Sequence, residues 1–296
     1  MIHCVYDSEK ASHLASKKNT ITEHVQRVHH ELAMIKLMAS SFEGTTRSAL
    51  SERKEKGLTS LSMTQLLGKY TTQEGRVTAS YGGYRAHGDN WVALIDEAIR
   101  LVQLDAVGNA FEIIENFIKA VASELLYSER GRIPIDQKVR QQVLQDRRLR
   151  ENTPQYFSRV AKTLARHSGN ELFKILFKYV PGLEESVSSA GKYDLRKIHR
   201  IVECFRHCKA HKNGRCGEED YEHLPQAYRR IVKWCLKQSA VFGDQRILPE
   251  HTQIASLLTW ECEFTQIIYE AISLKLGMEI DYKPLIEPPR KPKRQQ

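Results

Sequence analysis

Residues 203–216 read ECFRHCKAHKNGRC and hold two histidines, three cysteines, two arginines and two lysines. Two chemistries compete for these side chains. Arg206 and His211, with His207 directly after the arginine, suit RNA. A guanidinium offers a fixed fork of donors to phosphate oxygens and to charge developing on phosphorus. An imidazole can take a proton from a ribose 2′-hydroxyl or hand one to the leaving oxygen. Cleavage by that hydroxyl needs positioning, charge stabilisation and proton transfer, and it calls for no cofactor. The plain alternative is that an arginine and two histidines decorate a solvated basic helix end.

The second chemistry is metal binding. Cys204, Cys208, His211 and Cys216 are four soft ligands spaced C-x3-C-x2-H-x4-C. Cys204 and Cys208 share a helix face, and His211 lies three residues beyond. The spacing matches none of the familiar short zinc patterns. Cys204 and Cys208 read equally as small apolar core residues, and that reading is preferred to a metal.

A helix beginning near Tyr193 has to position these groups. Leu195, Ile198, Ile201, Val202 and Phe205 make one apolar stripe, and Asn213-Gly214 supplies the left-handed stop. On an ideal helix the step from Arg206 to His211 turns through about 500°, leaving the two side chains about 140° apart. They meet only if the last turn distorts or if a symmetric dimer brings in a second copy of the helix. Arg246 and His251 repeat the spacing but are interrupted by Pro249, so they are expected to be dispensable. Between 196 and 215 the only acid is Glu203. Arg200, Lys209, Lys212, Asn213 and Arg215 are therefore expected RNA contacts. Arg147, Arg148, Arg150, Arg159, Lys162 and Arg166 form a second basic stretch, beside which Tyr156 and His167 are candidates for base stacking, as is Phe157, whose helical spacing favours the core instead.

Elsewhere the chain reads as almost all helix. A capping signal at Thr20 and Glu23 opens an amphipathic segment running to residue 42. Residues 43–90, rich in Gly, Ser, Thr and charge, read as loops with a short hairpin around RVTASYGGY. Asp89 or Asn90 caps a long helix with an interruption at Gly108. Further helices are expected over 137–151, 153–180, 224–239 and 247–277, and the Pro-rich basic end, PPRKPKRQQ, reads as a disordered tail. Neither a Gly-rich phosphate loop nor a G-x-S-x-G elbow is present in the sequence.

Lys and Arg number 45 against 36 Asp and Glu, a net charge of +9 that favours a polyanionic partner, nucleic acid before membrane. Six cysteines in 296 residues are too sparse for a disulfide scaffold. The start, MIHCVYDSEKASH, has no apolar signal region, and no run approaches the roughly 20 apolar residues of a membrane span. A cytoplasmic protein without membrane contact is the expectation.

The segment VECFRHCKAHKNGR resembles the signature of the HEPN superfamily (higher eukaryote and prokaryote nucleotide-binding domain). There an arginine, followed by Asn, Asp or His, precedes a histidine by four to six residues near a helix end. AHKNGR is similar to the HNNGR-like continuation of many members. The motif carries the likeness; a looser helical one extends over 93–276, and residues 1–92 fall outside it. The resemblance implies an all-α helical bundle over 93–276; residues 1–92 read from their own pattern as an N-terminal, mostly helical extension, and 277–296 as a basic, Pro-rich tail. The resemblance also implies a homodimeric, metal-independent endoribonuclease in phage defence, toxin–antitoxin or RNA-processing systems, with an antitoxin or other regulatory protein as partner. Arg206 and His211 match the catalytic pair and His207 the polar position. The cysteines depart from the family pattern. The rival readings are a non-catalytic RNA- or protein-binding module of the same kind and a zinc-stabilised nucleic-acid-binding protein.

Overall fold

The computed structural model describes the backbone of residues 3–56, 60–71, 77–87, 90–146, 148–167, 169–240, 242–278 and 280; side chains are described within 21–56 and 92–280, except at 94, 147, 167–170, 241 and 279. In chain order the elements are α1 (His3–Glu55), β1 (Ser60–Thr71), β2 (Val77–His87), α2 (Asn90–Ser128), α3 (Gln137–Leu144), α4 (Pro154–His167), α5 (Gly169–Tyr179), α6 (Leu183–Ser189), α7 (Leu195–Lys212), α8 (Gln226–Cys235), β3 (Leu236–Gln238), β4 (Gln245–Ile247) and α9 (His251–Lys275). The protein is mostly helical. Its described strands form two antiparallel hairpins, β1-β2 and β3-β4.

Several expectations change. α1 runs through Thr20, so no cap forms there, and it continues to Glu55 across residues read as loop. α2 passes Gly108 unbroken. The helix expected over 137–151 stops at Leu144, and 153–180 divides into α4 and α5. Residues 236–238, read as the end of a helix, form β3. The hairpin around RVTASYGGY exists and is longer than expected. The capping role at Asp89 and the tail beyond 280 lie outside the described residues.

The chain groups into two compact units. The first comprises Met1–Lys36, Val107–Arg206 and Ala255–Gln296. Its core is fully apolar in places: Ile21, Val25 and Leu32 of α1, Ile114, Phe117 and Leu125 of α2, Leu172 and Leu176 of α5, Ile198, Ile201 and Phe205 of α7, and Phe264 and Ile268 of α9 are all buried. Removing this area from water is the main favourable contribution to folding. The predicted stripe of α7 is the buried one, with Leu195, Ile198, Ile201, Val202 and Phe205 all at 2% exposure or less.

One polar pair lies inside that core. His199 of α7 and Glu261 of α9 meet at 3.1 Å, with the imidazole stacked on Phe111 and flanked by Phe173 and Phe264. Burial pulls this imidazole's pKa down. The Glu261 carboxylate, by charge and hydrogen bond, together with Glu203 and Glu115 more than offsets that, so the pKa stands above the ordinary histidine value.

The second unit comprises Leu37–Ala106 and His207–Ile254. Gln103 of α2 donates to the Ala39 carbonyl at 3.2 Å, and Ser239 donates to Glu97 at 2.7 Å. Arg100 ties Asp96, Glu250 and the Leu248 carbonyl together.

Candidate functional site

α7 ends as its sequence dictates. Asn213 (φ 51°) and Gly214 (φ 82°) both enter the left-handed region, and the Gly214 N–H returns to the Cys208 carbonyl at 3.0 Å. A Cβ at position 214 would be strained by that φ and would meet Leu104 at 3.4 Å. The next residues lie along β4: Ile247 N–H donates to Gly214 O at 2.9 Å, and Cys216 N–H donates to Gln245 O at 3.3 Å. Arg246 clamps the turn. Its guanidinium donates to the Asn213 carbonyl at 2.5 Å and to Asp244 at 2.6 Å, and it lies over the Phe242 ring. Arg246 is only 6% exposed. Arg246, expected to be dispensable for cleavage, thus has a structural role, because removing it leaves a helix-end carbonyl without its donor and half-exposed Asp244 without its cation.

α7 stays helical to Lys212, so Arg206 and His211 diverge as an undistorted helix requires. Arg206 is half-buried and faces Glu112 of α2 at 3.7 Å. His211 is exposed and packs its ring on His207, also exposed, with centroids 4.8 Å apart. Spacing of four residues puts both imidazoles on one face. The structure therefore brings together His207 and His211, not Arg206 and His211. The signal lies in the sequence as His-x3-His on a helix.

The basic residues are less bare than the local sequence implies. Lys209 pairs with Asp105, and Lys212 donates to Asp220 at 2.5 Å. Asp220 also accepts the Gly217 N–H at 2.9 Å. Burial pushes the Asp220 carboxyl up, but Lys212 and the Gly217 N–H hold it below the ordinary carboxylate range. The acids Glu112, Asp105 and Asp220 all lie outside residues 196–215, so the charge of that stretch alone does not include them. Arg215 is exposed and its backbone bridges to Arg246. Arg200 lines a groove of about 450 Å³ with Phe173, Phe177, Lys174, Lys178, Arg196 and Glu184. Of the second basic stretch, Arg148, Arg150, Arg159, Lys162 and Arg166 are exposed. Tyr156 and Phe157 are each 3% exposed and belong to the core, so they offer no stacking face. Arg147 and the His167 side chain lie outside the described residues.

Cys204, Cys208 and Cys216 converge: their sulfurs all lie within 4.8 Å of one another, with Cys208 and Cys216 buried. His211, the fourth member of the expected zinc set, is not in this group and stands against His207 instead. Among the described residues no helix is long and apolar enough to cross a membrane. Comparison with known protein families, curated proteins and solved structures returns no match for this chain.

Proposed function

We propose that the chain is an HEPN-like endoribonuclease that cleaves RNA by attack of a ribose 2′-hydroxyl, with no metal in the chemical step. One observation carries the reading. Two exposed imidazoles, His207 and His211, stand 4.8 Å apart at the end of α7, next to Arg206. Two-step proton transfer needs one group to take the hydroxyl proton and another to protonate the leaving oxygen, and paired imidazoles supply both. Arg206 then neutralises the phosphate. Its contact with Glu112 is half-exposed, and such pairs contribute only about 0–1 kcal/mol, so a phosphate displaces the carboxylate at little cost. Lys209, Lys212, Asn213, Arg215 and Arg200 extend the binding surface. A homodimer would supply a second set of these groups, and a role in phage defence, toxin–antitoxin or RNA-processing systems, in the cytoplasm, calls for a protein antitoxin or regulator as partner.

The pairing of Arg206, Lys209 and Lys212 with acids favours a second reading, a non-catalytic module that binds RNA or protein. Variants at the imidazoles separate the two. Loss of a positioned general acid or base costs about 10²–10⁴-fold in rate, so His207→Ala and His211→Ala should each lose cleavage by that factor while retaining RNA affinity. Cleavage at the wild-type rate in both variants would leave only the binding module.

A further inference from the structure

The cysteine cluster is built by two independent pieces of backbone. Cys204 and Cys208 are one turn apart on the continuous helix α7, which puts both sulfurs on one face. Cys216 is placed by the left-handed turn at Asn213-Gly214 and by its own N–H bond to Gln245 of β4. Thus main-chain hydrogen bonds hold the backbone that carries the third sulfur, and its side chain is buried. All three are thiols, and the Cys216 sulfur lies 3.8 Å from the Gly217 carbonyl.

The distances fit a single ion. Zinc–sulfur bonds of about 2.3 Å put neighbouring sulfurs about 3.8–4.0 Å apart in tetrahedral or trigonal geometry. Sulfurs already within 4.8 Å of one another need only small side-chain rotations to reach that spacing. Three thiolates with no carboxylate in the group select soft ions over Mg²⁺ or Ca²⁺. Cys208 and Cys216 are shielded from water, whereas half-exposed Cys204 leaves a way in.

We propose that Cys204, Cys208 and Cys216 form a thiolate site for one soft d¹⁰ cation, Zn²⁺ or Cu⁺, which pins the end of α7 to the turn behind it. As each metal–sulfur bond forms, the sulfur donates a lone pair and its proton passes to solvent, with no change of oxidation state. The site stands apart from the RNA chemistry: His211 is outside the sulfur cluster and packs on His207 instead.

The test uses the full, reduced, metal-free chain and no RNA. Titration with Zn²⁺ and with Cu⁺ should show one ion bound per chain by elemental analysis. Co²⁺ as a stand-in for zinc should give a near-ultraviolet thiolate-to-metal band, with a rise in melting temperature on loading. Cys204→Ser is the informative variant, because its half-exposed side chain can change without disturbing the core. It should weaken binding by more than the roughly 10–100-fold that loss of an outer partner of a metal ligand costs. Cys262→Ser, in α9, should bind as wild type. No bound ion in the wild type, equal binding by Cys204→Ser, or a Cys208–Cys216 disulfide formed in preference to metal would each overturn the assignment.

Discussion

A guanidinium and an ammonium carry the same charge in different shapes, and position 206 tests which property matters. If Arg206 holds two phosphate oxygens at once, Arg206→Lys should cleave nearly as poorly as Arg206→Ala, because lysine loses the planar fork. If charge alone counts, the lysine variant should match wild type in the same single-RNA rate assay. A second residue-scale prediction concerns His199. Its raised pKa means that the protonated form stabilises the fold. That contribution is complete below the ordinary value of 6.5 and is lost as pH rises through the folded-state value. Half-buried His29 works in the opposite direction: burial lowers its pKa, so its contribution is lost as pH falls below 6.5. The two are separated by comparing melting temperature against pH for wild type and His199→Leu/Glu261→Leu. The decline above pH 6.5 should be shallower in the double variant; an unchanged decline would remove His199 as its cause.

The elements show where sequence patterning is sufficient and where it is not. α7 was legible because its apolar stripe and its Asn-Gly stop agree, and both are local signals. The stretch from Gly44 to Glu55 misled because Gly, Ser and Thr lower helix propensity, while its stabilising contacts are made by side chains. Arg47 pairs with Glu43 at 2.8 Å within the helix and with Asp96 of α2 at 2.9 Å. Tertiary pairing of this kind overrides a weak propensity signal. Gly44 itself has open space around its would-be Cβ. Gly44→Ala should therefore stabilise the protein by about 1 kcal/mol, read as a higher urea midpoint at unchanged slope. A lower midpoint would argue that this segment is not helical in solution. The β3-β4 hairpin was missed for another reason: three residues per strand are too few to show alternation.

At the scale of the whole molecule, a net charge of +9 pointed to a polyanion without locating the face that meets it. The structure redistributes that charge, since Lys209, Lys212 and Arg206 each face a carboxylate from elsewhere in the chain. The linear spacing put Cys204, Cys208 and Cys216 in one candidate ligand set with His211, but it could not separate the sulfurs from the imidazole, because Cys216 reaches the other two only after a turn whose position β4 fixes. The central claim is that the imidazole pair and Arg206 suffice for RNA cleavage. Its most direct measurement is end-group analysis after purified protein is incubated with a mixed RNA pool in excess EDTA. Cleavage should persist and leave 2′,3′-cyclic phosphates and 5′-hydroxyls. Strict dependence on Mg²⁺, or products carrying 5′-phosphates, would contradict it.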